Sequence, residues 1–140
     1  KMGMVFQHFN LFPHMTVLKN MTCAPVTLHR KTREAAEATA KQLLERVGLL
    51  DLKDQYAGSL SSGERQKLSF VRAIVFRPKM VLMDETLSNL DAESEALFRE
   101  IIMERHREDG STWLIVSHQW DEMNELFDKV HHMEKGRIVK

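Results

Sequence analysis

The segment MVLMDE, residues 80–85, limits what this chain can become more than any other feature. Its apolar run is too short for a helix and is unbroken by the polar alternation of a half-solvated strand. It reads as a strand covered on both faces of a parallel sheet. The run ends abruptly on two carboxylates, Asp84 and Glu85. TWLIVS, residues 112–117, repeats the pattern and ends on Ser117 and His118. GMVFQ, residues 3–7, reads as a third buried strand that stops at Gln7. Between the second and third runs in chain order, Asp91 caps a helix over roughly 92–108, which turns Leu97, Phe98, Ile101 and Ile102 inward, and Gly110 ends it. Alternation of continuous apolar strands with helices predicts an α/β fold with a largely parallel sheet.

Residues 10–60 interrupt that alternation and read as an inserted helical lobe. Pro13 and Pro25 break the first part into loop plus one short helix from about Thr16. From Thr32 to Val47 the spacing of Ala36, Ala40, Leu43, Leu44 and Val47 is helical, and Gly48 supplies the stop. Residues 51–60 read as a connection. Ser61 with Glu64 three positions on fits a capping box opening a helix to about Phe76, just before Pro78. Beyond the TWLIVS strand the pattern predicts a helix around 119–127, then a hairpin in which KG joins VHHME to RIVK.

A chain of 140 residues is long enough to bury a core, and its 43% hydrophobic and 29% charged fractions are those of a globular protein. Twenty basic residues balance twenty acidic ones, so no excess of Lys and Arg favours non-specific nucleic-acid binding, and no nucleic-acid partner is expected. No apolar run approaches the ~20 residues that span a bilayer, and no signal-peptide pattern opens the chain. Cys23, the single cysteine, has no internal disulfide partner and reads as a buried small hydrophobe in a reducing compartment. The seven histidines show no metal-ligand spacing; His131 and His132 would point to opposite faces of a strand. The chain opens on Lys1 and enters a strand-like GMVF almost at once, which reads as a start inside a domain.

In open parallel sheets, ligands sit outside the carboxyl ends of the strands. Gln7, Asp84, Glu85 and His118 all stand at such ends, and they converge on one crevice if the three strands are neighbours. Adjacent residues on an extended chain point to opposite sides, so Asp84 and Glu85 divide two tasks. One carboxylate holds a divalent cation, and the other positions or deprotonates an attacking water. Mg²⁺ suits such a site because it keeps several waters and takes phosphate oxygens into its shell. Each feature also has a plainer reading: solubilising carboxylates at a strand-to-loop junction, and a hydrogen-bonded structural histidine. The turn LSSGE presents a helix N-terminus, which attracts anions, with the Ser61 and Ser62 hydroxyls and the close backbone approach that Gly63 permits. The capping box alone accounts equally for Ser61 and Glu64.

Together these motifs resemble the nucleotide-binding subunit of an ATP-binding-cassette (ABC) transporter. LSSGERQKLSFVRAI at 60–74 resembles the family signature LSGGQ and its basic helix, with Arg72 and Ala73 as the Arg-Ala pair. MVLMDE resembles the Walker B strand, SNLD at 88–91 the D-loop, and IVSH at 115–118 the switch-histidine segment. MVFQHFNLFPHMTVLKNM at 4–21 is similar to the Q-loop of the branch that imports polar amino acids, and HHMEKGRIVK to the terminal hairpin of the core. The resemblance implies a partial P-loop NTPase fold forming one domain over 1–140. About 10–78 would hold the Q-loop, helical lobe and signature helix, and 1–9 with 79–140 the catalytic core portion.

It also implies roles. Gln7 would contact Mg²⁺ or the lytic water, Asp84 would hold Mg²⁺, and Glu85 would be the general base. His118 would touch the γ-phosphate. Ser61, Ser62, Gly63 and Glu64 would face ATP held by a second ATPase subunit, and Asp91 would join the halves of a head-to-tail dimer. Phe9 and Phe12 would line a groove for a coupling helix of the transmembrane permease subunits, or else pack in the core. The expected place is the cytoplasmic face of the inner membrane, as a peripheral subunit.

The chain departs from the family pattern at Ser62 for Gly, Glu64 for Gln, and Thr86-Leu87 for Pro-Thr. A carboxylate 4 Å from a triphosphate adds roughly 1–4 kcal/mol of repulsion, which Glu64 avoids if it turns back to cap its own helix. No GxxxxGKS/T phosphate loop occurs in the 140 residues. In the family that loop precedes the Q-loop strand, so the chain reads as the downstream portion of a cassette. Two other readings compete. One is a degenerate, non-hydrolysing cassette that acts as a docking or regulatory partner. The other is a DNA-repair or chromosome-maintenance ATPase, which the lack of sustained heptads disfavours.

Overall fold

The computed structural model describes residues 2–5, 10–27, 32–75, 77–85, 90–117 and 127–139. β1 (Met2–Val5) leads by way of α1 (Val17–Thr27), α2 (Arg33–Arg46) and α3 (Ser62–Ile74) to β2 (Met80–Asp84). Then come α4 (Ala92–Asp109), β3 (Thr112–Val116) and the short strands β4 (Met133–Glu134) and β5 (Arg137–Ile138). Two single-turn 3-10 segments, Leu50–Leu52 and Ala57–Ser59, fill the connection before α3.

Local chemistry accounts for the element boundaries. The Thr32 hydroxyl accepts from the Ala35 amide to start α2, and Gly48 at φ 76° follows its C-cap, Val47. Asp91 accepts from the Ser94 amide at 2.6 Å to start α4, and Gly110 at φ 63° closes it. The capping box of α3 is complete: the Glu64 amide donates to Ser61 Oγ at 3.2 Å, and the Ser61 amide donates to Glu64 Oε1 at 2.9 Å. Lys135 and Gly136, at φ 49° and 77°, form the doubly left-handed turn that matches the twist of the β4–β5 hairpin. Pro25 does not stop α1 at once: its fixed φ is helical, but its missing N–H removes one bond of the ladder, and the helix ends two residues later. The helix expected around 119–127 lies outside the described residues except for Phe127, which is not helical.

β1, β2 and β3 form one parallel sheet in that order. Met4, Leu82 and Leu114 stand side by side, as do Val5, Met83 and Ile115 in the next row. Val5, Val81 and Met83 are buried against the helices. They join a continuous core with Val17, Met21, Ala40, Leu44 and Ile101, so lobe and sheet share one apolar interior. Phe70 of α3 stacks on Phe98 of α4, with ring centroids 4.1 Å apart and planes 16° from parallel. Arg46 at the end of α2 forms a close ion pair with Glu104 of α4.

The expectation of strands covered on both faces does not hold among the described residues. α3 and α4 lie on one side of the sheet, and the opposite face, with Met4, Met80, Leu114 and Val116, is open. Cys23, expected in the core, is only half-buried, with Sγ 3.9 Å from the Asn20 carbonyl oxygen.

Candidate functional site

The site begins where the strands end. Parallel strands in a common register bring their carboxyl ends to one rim, and Asp84 pairs with Val116 across it. Asp84 is the last residue of β2 and is exposed; Glu85 is half-buried. The Glu85 amide donates to the Val116 carbonyl at 2.9 Å, which carries the β2–β3 ladder one step past the strand. At φ 56°, Glu85 has the left-handed backbone that costs a non-glycine residue about 1–2 kcal/mol. Glu85 is therefore not extended, and the alternation argument for separating the two carboxylates does not apply to it. What separates them is the break in backbone conformation and the difference in burial. Gln7 and His118 lie outside the described residues. The described backbone stops two residues short of Gln7 at Val5 and one short of His118 at Ser117.

The signature turn is a second feature, placed elsewhere. Ser61, Ser62 and Gly63 are exposed, and a Cβ built on Gly63 meets nothing within 4 Å. The Glu64 carboxylate is drawn back onto the Ser61 amide, so the capping reading of Ser61 and Glu64 is realised. The Ser62 and Gly63 amides belong to the first turn, whose donors lack intrahelical partners. α3 meets β1 at Ala73, and ten residues of helix put Gly63 roughly 15 Å from that contact. Arg65 steadies the approach to the turn by donating to the Gly58 carbonyl at 3.0 Å.

Asp91 is engaged as a helix cap. The hydrogen bond from the Ser94 backbone amide holds its carboxyl below the usual carboxylate range. Phe12 is exposed and meets His14 edge-on at 6.2 Å; Phe9 lies outside the described residues. Among the described residues no group of three His, Cys, Asp or Glu side chains is placed to hold a metal. A single exposed carboxylate at the rim suits Mg²⁺ that draws its other ligands from water and phosphate oxygens, so Asp84 fits that role.

Sequence reasoning missed Asn20. It is buried in α1, and its Oδ1 accepts from the Phe12 amide at 2.9 Å. Its Nδ2 donates to the carbonyls of Phe12, Met15 and Thr16 at 3.0, 3.3 and 3.0 Å. That amide ties the loop after the Gln7 segment to α1. The available signal was a polar residue between the core positions Val17 and Met21 on a helical face.

Residues 1–88 match the profile of the ABC transporter family. The chain belongs to that family. This ABC-family chain is 40% identical over 140 residues to the arginine transport ATP-binding protein ArtM of Bacillus subtilis, and the match covers 99% of the chain and 57% of ArtM. It is 39% identical over 138 residues to the glutamine transport ATP-binding protein GlnQ of Geobacillus stearothermophilus, again over 99% of the chain and 57% of the relative. Among solved structures it resembles the ATP-binding cassette MJ0796, a dimeric post-hydrolysis state bound to ADP and Pi, with a TM-score of 0.90 and 24% identity. That likeness covers 100% of the chain and 61% of MJ0796. The fold is thus that of an ABC cassette, and the chain spans less than two thirds of these relatives. No helix of the described residues is long and apolar enough to cross a membrane.

Proposed function

We propose that these residues form part of the ATP-hydrolysing subunit of an ABC importer for polar amino acids, working as a peripheral subunit on the cytoplasmic face of the inner membrane. The observation that carries this reading is the rim, where in-register β2 and β3 present Asp84 and Glu85 beside the chain leading to His118. The names of ArtM and GlnQ, both amino-acid transport proteins, support the solute class. No GxxxxGKS/T motif occurs within the 140 residues, so the β- and γ-phosphates would be cradled by polypeptide outside them.

In this reading Glu85 takes the proton of the water that attacks the γ-phosphorus, and the bond to the β–γ bridging oxygen breaks to release ADP and phosphate. His118 contacts the γ-phosphate, and Gln7 orients the water or would help Asp84 hold Mg²⁺. That ion, when bound, would supply positive charge against the phosphate oxygens. Ser61, Ser62 and Gly63 face the nucleotide of a second ATPase subunit. Their distance along α3 from the sheet contact suits a partner acting across a dimer better than one acting on its own rim. Glu64, held by its own cap, stays back from the phosphates, and Asp91 lies at the seam of the head-to-tail pair. The exposed Phe12 segment, clamped by Asn20, faces the permease subunits.

The test joins these residues to the portion of ArtM they do not span and measures ATP turnover. Glu85→Gln should lower kcat by at least about 10²-fold, as expected for loss of a general base, while leaving ATP binding intact. Unchanged turnover removes Glu85 from the mechanism. The 140-residue chain alone should show no turnover. A non-hydrolysing docking module is the second reading, favoured by Ser62 and Thr86 where the family pattern has Gly and Pro; a joined protein that binds its permease but never hydrolyses ATP would select it.

A further inference from the structure

The signature turn and the loop that leaves the Gln7 segment are distant in the chain, yet one peptide group joins them. The Gly58 amide donates to the Pro13 carbonyl at 3.1 Å, and the Gly58 carbonyl accepts from the Arg65 guanidinium at 3.0 Å. Three further backbone bonds run beside that peptide. The Ala57 amide donates to the Met15 carbonyl, the Val17 amide to Gln55 and the Leu18 amide to Lys53, each at 2.9 Å. Thr16 and Tyr56 form an antiparallel bridge within this pairing. The approach is too close for a side chain at the joining residue. A Cβ on Gly58 would stand 3.1 Å from the Pro13 carbonyl oxygen and 3.2 Å from Pro13 Cβ. Ala57 and Leu60 are buried in the core, which anchors the connection from below.

Two side chains fasten the ends. Asn20 holds residues 12–16 from α1, with Oδ1 on the Phe12 amide and Nδ2 toward the carbonyls of Phe12, Met15 and Thr16. Arg65, in the first turn of α3, reaches back past the Ser61–Glu64 capping box to Gly58. Its Nε is sealed from solvent and has no hydrogen-bond partner among the described residues. A buried donor left so is destabilising, so the guanidinium acts through where it holds the turn more than through net stability. The Arg65 amide in turn donates to the Ser61 carbonyl at 2.9 Å, which makes Arg65 and the capping box one rigid unit.

We propose that Asn20 and Arg65 are positioning residues for the signature turn. Through the Gly58 peptide they make residues 12–16, which follow Gln7, and residues 61–65, which open α3, move as one body. A displacement of the segment after Gln7 is then felt at the turn that faces the second subunit's nucleotide. The mechanical link rests on these hydrogen bonds alone. Its consequence for ATP rests on the functional reading above, so a joined protein without turnover would refute that reading and leave the link to be decided by exchange.

Residue-resolved amide exchange in the joined protein tests the link. The amides observed are those of Ser61, Glu64 and Arg65, all hydrogen-bonded within the turn. Asn20→Leu should speed their exchange at least about fivefold, the low end of coupling between two sites, although Asn20 bonds to none of them. Arg65→Ala should do the same. The double variant should exchange no faster than the faster single one, because a link already broken has nothing more to lose. Gly58→Ala, which wedges the joint apart, gives a third break and replaces Asn20→Leu if that variant does not fold. Thr32→Ala removes the N-cap of α2 in the same lobe and should leave the three amides unchanged, which separates the link from a general loss of stability. ATP kinetics supply the second readout. Arg65→Ala should raise KM with kcat nearly unchanged, and Arg65→Lys, which can still donate to the Gly58 carbonyl, should restore KM. The link is overturned if the turn responds to Arg65→Ala but to neither Asn20→Leu nor Gly58→Ala, if the single effects multiply in the double variant, or if Thr32→Ala acts as strongly. A loss carried by kcat alone, or no recovery with lysine, overturns the positioning role of Arg65.

Discussion

Gly3 sits where β1 meets the end of α3, and replacing it with alanine tests whether that contact sets the position of the strand. A Cβ at Gly3 would lie 2.6 Å from the Ala73 carbonyl oxygen and 3.1 Å from Pro78 Cγ. A relaxed carbon–oxygen contact is about 3.3 Å, so strand and helix must part by roughly 0.7 Å. The obstacle is backbone, which cannot swing aside as a flexible side chain would. Overpacking of this kind costs about 1–3 kcal/mol. Alanine recovers about 0.4–1 kcal/mol by restricting the unfolded chain, which leaves a net loss of about 1–2 kcal/mol. Against a total stability of about 5–15 kcal/mol that loss is readily measured, and it should lower the thermal midpoint by about 3–8 °C. Gly63→Ala is the matched control, because its Cβ meets nothing within 4 Å and its φ is not left-handed. It should stabilise by up to about 1 kcal/mol. Urea unfolding followed by far-UV circular dichroism, at equal protein concentration, reads both. If Gly3→Ala unfolds at or above the parent midpoint, or if the two variants shift in the same direction, the close approach of β1 to α3 is not what the structure shows.

Ser61→Ala should cost about 0.5–1 kcal/mol, the lower part of the range for an exposed N-cap. Glu64→Gln should be nearly neutral, because the amide oxygen still accepts from the Ser61 amide; denaturant midpoints that rank the two in reverse would show that charge rather than capping matters at the turn. The folded pKa of Asp91 is depressed, so its contribution is present above the unfolded carboxylate value of about 3.9 and is lost as pH falls through the lower folded value. The stability difference between the parent and Asp91→Asn, measured across pH 3–7, should therefore shrink on the acid side; a difference that grows there contradicts the cap. Asn20→Leu leaves the Phe12 amide without its side-chain acceptor, a loss of about 1–3 kcal/mol, while the carbonyls of Phe12, Met15 and Thr16 keep backbone donors. Limited proteolysis should then cut within residues 12–16 faster than in the parent, and an unchanged cleavage rate would show the clamp to be dispensable.

Helices and caps were legible because each depends on residues a few positions apart. Ala36, Ala40, Leu43, Leu44 and Val47 share a face by spacing alone, and all are buried. The Ser61–Glu64 box and the Asp91 cap are local geometries that three-residue separations dictate. At the candidate site, the strand end at Asp84 and Glu85 could be read from where an apolar run stops. The left-handed turn of Glu85 could not be read, since nothing in its neighbours demands a positive φ. Asn20 was hidden for a related reason: its partners Phe12 and Met15 become neighbours only when the loop folds back on α1.

The amino-acid order by itself determined that three short apolar strands alternate with capped helices and that carboxylates follow the second strand, because period, capping and chain breaks act over one or two turns. Only the tertiary structure decided that these strands lie in the order β1-β2-β3 with one face open, and that Gly3 must be glycine to let α3 close on the sheet. Those outcomes come from contacts between residues 32 to 78 positions apart, such as Met80 with Thr112, Gly3 with Ala73 and Met2 with Met80. An apolar residue carries the same hydrophobicity whether or not anything is present to cover it.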